Sequence, residues 1–570
     1  MTKGERVGII VNDVLVLNNI DKIQEENMLK KRFLRAVALL LVIATLGMLF
    51  IACGSDDENN GGNNNNANTN QNNNSGTGGN DSTGSNDSNN NNDNNDNNDD
   101  NNDDDDNNED NKVLVDNVPD MDMQAYTMTV LCRENVMFLQ EAYAEDGTGD
   151  QVTQSIYDRN YYIENRFNCF LTYEPVSEED EGTLTKTFNK AVASGTQAYT
   201  LALGHMMYTA NECLNGTMLD IKSLPYVNLD REYWHQSMNE AIEVNNKIYF
   251  TASDYCTSST YYTWLMIFNM TTCAEKGIDV YGMVDNGTWT IDNLTDIASV
   301  NYADDGDKVV DFEDDKFGFL IHYNTAITNW MFALDIPVTT NPKDGLLELS
   351  FGNERSVKAA EKIYKLLFGS NNGSFVVQDL EFGQTFDPAN PDMKITAKFG
   401  QGDALIAATK IYALENLRES DVLYGIVPYP KYDTAQENYY SHVDGRASLL
   451  FVPYILPESE YEYVGGLLEA LTCATTNMVM PVIQLSALLG RYSEDSEAYK
   501  HLQDTLAGRS YAFAYVFNSA CTSKPYWIFS KMMAAKTDNL TNFWKAFTRT
   551  AQRELRGLAR DLEELHTNQK

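Results

Sequence analysis

Basic residues are scarce in this 570-residue sequence, with 42 Lys and Arg against 83 Asp and Glu and a formal net charge of -41. Phosphate backbones and anionic bilayers are gripped through clustered Lys and Arg, so nucleic-acid binding is excluded as a function class. Cysteine is sparse too, eight in all, and no C-x-x-C pair offers a structural zinc site or a dithiol redox centre. Proline and glycine are modest, 13 and 35, and composition excludes a collagen, a coiled coil, a disulfide-dense miniprotein and a multi-pass membrane protein. The six His are scattered. H-E-x-x-H, G-x-S-x-G and G-x-x-x-x-G-K-[ST] are all missing, so no metal, cofactor or catalytic residue is expected from motifs.

What is present divides the chain into unlike parts. Lys30, Lys31, Arg32 and Arg35 precede an apolar run from Ala36 to Ala52 that stops at Cys53. Basic flank, apolar middle and small residue before a cut site compose a secretory signal. Residues 1–52 are therefore read as a signal segment, with Met28 as the expected true start. The tetrapeptide FIAC resembles a bacterial lipobox, which implies diacylglyceryl attachment at Cys53, although the pattern prefers Leu where Phe50 stands. From 53 to 112 the lipid-bearing Cys leads into Asn, Asp, Gly and Ser. The stretch Gly54–Asn111 holds 15 acidic residues and no base. Such a composition buries too little apolar surface to offset its ordering entropy, so a disordered, self-repelling tether is expected. An anchor followed by a spacer places the folded body outside the cell, on the outer face of the membrane.

The remaining body carries a charge of -28 and ordinary apolar and aromatic content. YTMTVL at 126–131 is β-branched and aromatic, hence a strand. Residues 150–168 have apolar groups at helical spacing, FLTYEPV is a strand, GTLTKTFNKAVASG a helix stopped at Gly195, and YTLALGH another strand. This βαβαβ order predicts a parallel sheet flanked by helices. KIYFTASD, TWLMIFNM, DALIAAT, YGIVPYP and ASLLFVPYIL are strand-like, Ser356–Phe368 is amphipathic, and helices dominate after Tyr461. Seven cysteines follow Cys53, an odd number at wide spacing, read as small buried residues, with one disulfide left open.

Phe399–Pro453, FGQGDALIAATKIYALENLRESDVLYGIVPYPKYDTAQENYYSHVDGRASLLFVP, resembles the signature region of extracellular solute-binding lipoproteins. These are binding components of bacterial ATP-binding-cassette importers, carbohydrate branch. The earlier stretches YDRNYYIENRFN, YWHQSMNEAIEVNNKIYF and WLMIFNM with GTWTIDNLTDIA, and the later LLEALT, agree with the family in their order along the chain. The resemblance implies an α/β, two-lobe periplasmic-binding-protein-like fold (type 2), each lobe a sheet flanked by helices and joined by hinge crossings. Lobe I is expected over 113–255 and about 448–530, lobe II over about 256–447 and 531–570. Crossings are expected near Ser253–Thr263 and His442–Ser448, with Gly445 as a pivot. The implied function is a monomeric, surface-tethered receptor that holds a sugar between its lobes and passes it to membrane permease subunits. A tethered glycoside hydrolase or an envelope adhesin is the alternative.

A sugar site needs aromatic platforms beside hydrogen-bonding side chains. The resemblance sets Trp264, Trp330, Tyr255 and Tyr323 in or beside the cleft, while Trp289 and Trp234 are read as packing. Ligands of open α/β sheets sit beyond the carboxyl ends of strands, which selects Asn135, His205 and Asp254. Arg446, on the return crossing, either donates to hydroxyls or braces Asp444. NYADDGDKVVDFEDD is similar to the calcium loop of relatives, but placing Gly306 sixth leaves Ala303 third and Phe312 twelfth. Those positions need oxygen ligands, so an acidic turn is expected. The anchor reading has a direct consequence: Cys53→Ser removes the thioether site and should release or mislocalise the protein. Intact-mass analysis of the membrane-bound wild type showing residues 30–52 still attached would contradict it.

Overall fold

The computed structural model describes residues 113–570 apart from 146, 148, 178–180, 301, 324, 341–346, 371–372, 378–390, 489–495, 547 and 569–570. The signal segment, Cys53, the acidic tether and Asn301 lie outside the described residues.

Strand β1 (Tyr126–Arg133) turns into helix α1 (Val136–Ala142), and helix α2 (Gln151–Phe167) follows. Asp150 caps α2 by accepting from the Thr153 N–H, and Asn168 ends it in the left-handed region at φ 48°, which Asn tolerates well. The chain returns as β2 (Cys169–Val176), α3 (Thr183–Ala193), β3 (Leu201–His205) and α4 (Met206–Cys213). Strands β1, β2 and β3 are mutually parallel where they pair. Leu131 belongs to one apolar cluster while Val130 and Cys132 belong to another. Period-two alternation therefore feeds two cores, and the sheet is covered on both faces.

Next come β4 (Trp264–Asn269), α5 (Ile291–Ala298) and β5 (Phe317–His322). They are followed by α6 (Glu354–Phe368), β6 (Ser374–Val377), α7 (Pro391–Gly400), β7 (Ala404–Lys410) and β8 (Tyr424–Val427). These five strands form a second sheet ordered β6-β5-β7-β4-β8, with β4 antiparallel to its neighbours β7 and β8. The first sheet is ordered β10-β3-β1-β2, where β10 (Ser448–Phe451) runs antiparallel to β3. Each sheet thus has the pattern second, first, third, then an antiparallel strand entering from the other lobe. That shared topology is the two-lobe, type 2 arrangement expected above.

The lobes are joined where the chain passes outward after Ser253 and back before Ser448. The two passes pair with each other, Thr263 with Val443 and Thr251 with Leu450. KIYFTASD makes only isolated bridges of this kind rather than a sheet strand, because its end is already the outgoing crossing. β9 (Ser441–His442) pairs in parallel with a third joining segment, β11 (Arg509–Ser510). Gly445 has no positive φ; its N–H donates to the Tyr515 hydroxyl at 2.8 Å instead.

Helix α8 (Tyr461–Met478) packs on α2 in lobe I and runs on to α9 (Met480–Ala487). The stretch Glu458–Ala487 is long and apolar enough to cross a bilayer, but most of it is buried within the fold. One expected boundary changes. Helix α10 (Glu497–Ala507), placed above in lobe I, lies on β8 of the second sheet, where Ala498, Leu502 and Leu506 share a core with Leu265, Ile267 and Ile426. The terminal helix α11 (Thr548–Asn568) adjoins lobe II, and Gln552 accepts from the Leu349 N–H at 3.1 Å. The seven cysteines after Cys53 are all buried and free.

Backbone contacts between elements are close where glycine allows it. A Cβ at Gly318 of β5 would collide with the Ala298 carbonyl at the end of α5. Backbone cannot swing away as a flexible side chain can, so Gly318→Ala should cost about 1–3 kcal/mol. Denaturant melts of the two proteins check this, and equal midpoints would refute it.

Candidate functional site

Second-sheet strands end in side chains that sequence periodicity treats as ordinary. β5 ends at His322, β7 at Lys410, and antiparallel β4 begins at Trp264, the partner of Lys410. Tyr429 follows β8. This is the carboxyl edge of the second sheet, the edge where open α/β folds hold ligands. Lys410 Nζ is buried 3.2 Å from Asp392 Oδ2, at the start of α7, and 3.1 Å from Asp444 Oδ2 on the return crossing. The Tyr412 hydroxyl donates to Asp392 Oδ2 at 2.9 Å, and His322 Nδ1 lies 3.3 Å from Asp392 Oδ1. The ammonium also faces the rings of Trp264 at 4.6 Å, Tyr262 at 5.4 Å and Tyr412 at 5.6 Å.

Burial disfavours charge on all three members of this triad, but mutual attraction overrides it. Lys410 is raised by Asp392 and Asp444; Asp392 is brought down to about 2, chiefly by Lys410, and Asp444 is lowered likewise. All three stay ionised at neutral pH.

Beside the triad lie buried donors without acceptors. Trp264 Nε1 and Trp330 Nε1 have no hydrogen-bond partner among the described residues, and the Tyr429 hydroxyl, beside the Asn329 amide, has no acceptor for its own proton. Tyr429 meets both indoles edge-on, with centroids 5.1 Å from Trp330 and 6.5 Å from Trp264. Each unmet donor in a dry site carries a desolvation cost that an oxygen-rich ligand would relieve.

The first sheet contributes its own carboxyl edge. Arg133, at the end of β1, donates from Nη2 to Ser448 Oγ at 2.8 Å and lies 3.3 Å from the Phe138 ring centroid. Glu141 of α1 accepts from Ser448 Oγ and from the Ser258 N–H at 2.9 Å, so one buried carboxylate ties down both crossings. Burial pushes the Glu141 carboxyl up against the opposing pull of Arg133. Rings continue across the seam: Phe138 stacks on Tyr262 at 5.9 Å, and Tyr262 meets Tyr412 at 5.3 Å.

The residues expected to touch ligand fall into three groups. Trp264 and Trp330 converge with His322, Lys410 and Tyr429, both fully buried edge-on to Tyr429 rather than standing as exposed platforms. Tyr323 follows His322 at the end of β5, half-buried, and its N–H donates to the Val377 carbonyl at 2.8 Å. His205 and Arg446 meet at Glu181. His205 Nε2 is 3.7 Å from that carboxylate and Arg446 Nη2 2.8 Å, so the Arg446 guanidinium reaches Glu181. Asn135 is exposed at the end of β1, where its side chain caps α1 through the Met137 N–H at 3.1 Å. Asp254 and Tyr255 stand apart from the seam. Asp254 is buried between His235 (3.2 Å), Arg509 (3.4 Å) and Thr476 (2.9 Å), and Tyr255 fills the lobe I core with Arg159 over its ring at 5.0 Å. They are hinge and core residues because the outgoing crossing starts deep in lobe I.

Sequence reasoning passed over His322, Lys410, Tyr429 and Arg133, although the strand-end rule that selected His205 applies to each. Asp392 had no such signal, since it opens a helix. In the loop expected as an acidic turn, Asp304, Asp305 and Asp307 are exposed and close together. Their carboxylates accept from the N–H groups of Gly306, Asp307 and Val309 at 2.7–3.0 Å, as an Asx-rich turn does.

Of the five buried histidines around the joint and its flanks, four are held below the ordinary imidazole range. His442 stacks on Phe332 and is pressed down to about 3 by burial and nearby Lys410. Burial and Arg509 hold His235 at about 4, while burial lowers His205 and His501. An unfolded His titrates near 6.5, so below that pH the unfolded chain binds protons the folded one refuses. Stability present above pH 6.5 is therefore lost as pH falls toward 4, at about 1.4 kcal/mol per pH unit for each proton. His442→Gln should flatten this dependence by about one proton, read from thermal midpoints between pH 7 and 4; an unchanged slope would contradict it.

No protein-family profile and no curated protein matches the sequence. Among solved structures, the chain is similar to the GacH receptor of Streptomyces glaucescens, whose structures include acarbose complexes. They share 11% identity over 77% of this chain and 99% of that one, with a TM-score of 0.47. UgpB from Mycobacterium tuberculosis, in complex with glycerophosphocholine, shares 13% identity over 76% and 98%, with a TM-score of 0.47. Maltose-bound MalE3 of T. maritima shares 10% identity over 76% and 100%, with a TM-score of 0.44.

Proposed function

We propose that this chain is a solute receptor that captures a sugar or oligosaccharide between its lobes and delivers it to an ATP-binding-cassette importer. The observation that carries this reading is the pair of like-ordered sheets whose carboxyl edges meet at a joint of paired crossings. A protein so built opens and closes about a few segments and leaves its binding edge between two rigid bodies. Sugars offer apolar C–H faces and many hydroxyl oxygens. Trp264, Trp330 and Tyr429 supply rings and unmet donors of the matching kind, while Asp392 and Asp444 supply fixed negative charge nearby. Acylation at Cys53, an acidic spacer and a place on the outer face of the membrane complete the proposal, with permease subunits as partners.

A glycoside hydrolase is disfavoured by the charge state of this edge. Glycoside cleavage needs one carboxyl raised to act as an acid; Asp392 and Asp444 are both lowered by Lys410, and Glu141, which burial raises, has its oxygens tied to Ser258 and Ser448 at the crossings.

Calorimetry against a panel of oligosaccharides and polyols should find a saturable ligand, with no product detected by chromatography. Tyr429→Phe should weaken that ligand roughly tenfold, the value of one hydrogen bond of about 1.4 kcal/mol. Arg446→Ala should change affinity less, since its guanidinium is engaged with Glu181. Turnover of the saccharide, or full affinity in Tyr429→Phe, would overturn the assignment.

A further inference from the structure

The terminal helix α11 carries a feature that capture between the lobes does not use. Ala551, Leu555, Leu558 and Leu562 are buried on one side. Arg549, Arg553, Arg556 and Arg560 are exposed, and at about 100° per residue they fall within roughly 60° of one another on the opposite side. The stripe is about 16 Å long at 1.5 Å per residue. Together with Phe351 and Trp544 it lines a groove of about 780 Å3. Phe351 and Trp544 meet edge-on at 4.8 Å and form an apolar wall.

Four guanidiniums in one row repel each other, and this chain has few bases to spend in a net charge of -41. Neighbouring carboxylates answer only one end of the row. Arg556 lies 3.7 Å from Glu348, and Arg560 lies 2.9 Å from Asp561 and 3.7 Å from Glu564. Arg549 and Arg553, at the end nearest Trp544, make no ion pair among the described residues. Guanidinium forks suit carboxylates and hold them in two-point geometry.

We propose that this groove docks an extended acidic segment of a partner protein. In an extended strand, alternate side chains point the same way about 6.6–6.8 Å apart, somewhat more than the rise of about 4.5–6 Å between successive arginines of the stripe, a difference that long arginine side chains span. Asp or Glu at alternate positions would thus meet the arginines in turn. An apolar residue ahead of them would rest on Phe351 and Trp544, which a bare polyphosphate could not exploit. The groove is separate from the lobe seam, so this reading stands or falls independently of the solute.

The test is fluorescence anisotropy of a labelled Leu-(Asp-Ser)4 peptide titrated with the full-length protein at 50 and 500 mM NaCl. Saturable binding is expected at low salt, at least tenfold weaker at high salt and at least tenfold weaker in Arg553→Glu/Arg556→Glu. Arg553→Gln/Arg556→Gln, free of new charge, should weaken it severalfold while keeping the wild-type melting temperature. Failure to bind the peptide, or equal binding by wild type and both variants, would overturn the proposal. So would binding of inorganic polyphosphate or phosphatidylglycerol vesicles through these arginines with the peptide excluded.

Discussion

The buried Lys410 ammonium, clasped by Asp392 and Asp444, is the constraint on which the rest of the structure hangs. Three parts of the chain meet there: the end of a central strand, the start of a helix and the segment returning to lobe I. Taking three charges out of water is costly, and such triads are seldom a net source of stability compared with apolar packing. Their geometry is nevertheless demanding, since each oxygen and proton must be met. The triad therefore fixes where the return crossing leaves lobe II. The Glu141 carboxylate does the same for both crossings at the lobe I side, through Ser258 and Ser448. Between these two anchors lie the residues free to turn.

The same anchors set the chemistry of the seam. Lys410 keeps two carboxylates ionised and orders the rings of Trp264, Tyr262 and Tyr412 around itself. What remains for a ligand is the neutral, donor-rich ground beside it, where two indoles and a phenol have no acceptor. A site whose buried charges hold one another and whose neutral donors stay open discriminates mainly by oxygen placement.

Much of the fold was legible in the residues. Alternating strand and helix signals from Tyr126 to His205 match the structure almost element by element, because β-branched and aromatic runs mark the strands and helical spacing marks α2 and α3. FGFLIH at 317–322 carries the same signal and was passed over. Lobe membership was harder to read. The apolar face of α10 says that it packs, but not on which sheet, and the structure lays it on lobe II. Likewise KIYFTASD has strand composition, yet its place at the joint leaves it with single bridges. For the site, strand-end position proved more informative than residue class: it points to His205, His322 and Lys410 alike. Aromatic content alone could not separate Tyr255, a core residue, from Trp264 beside the seam, since both are large rings near a crossing.

The central claim is that two lobes hinge about the segments held by Lys410 and Glu141 and close on a solute. Small-angle scattering of the protein with and without a saturating saccharide tests it most directly. The account predicts a smaller radius of gyration with the saccharide bound, as the facing strand edges approach. An identical scattering profile at proven saturation would contradict it.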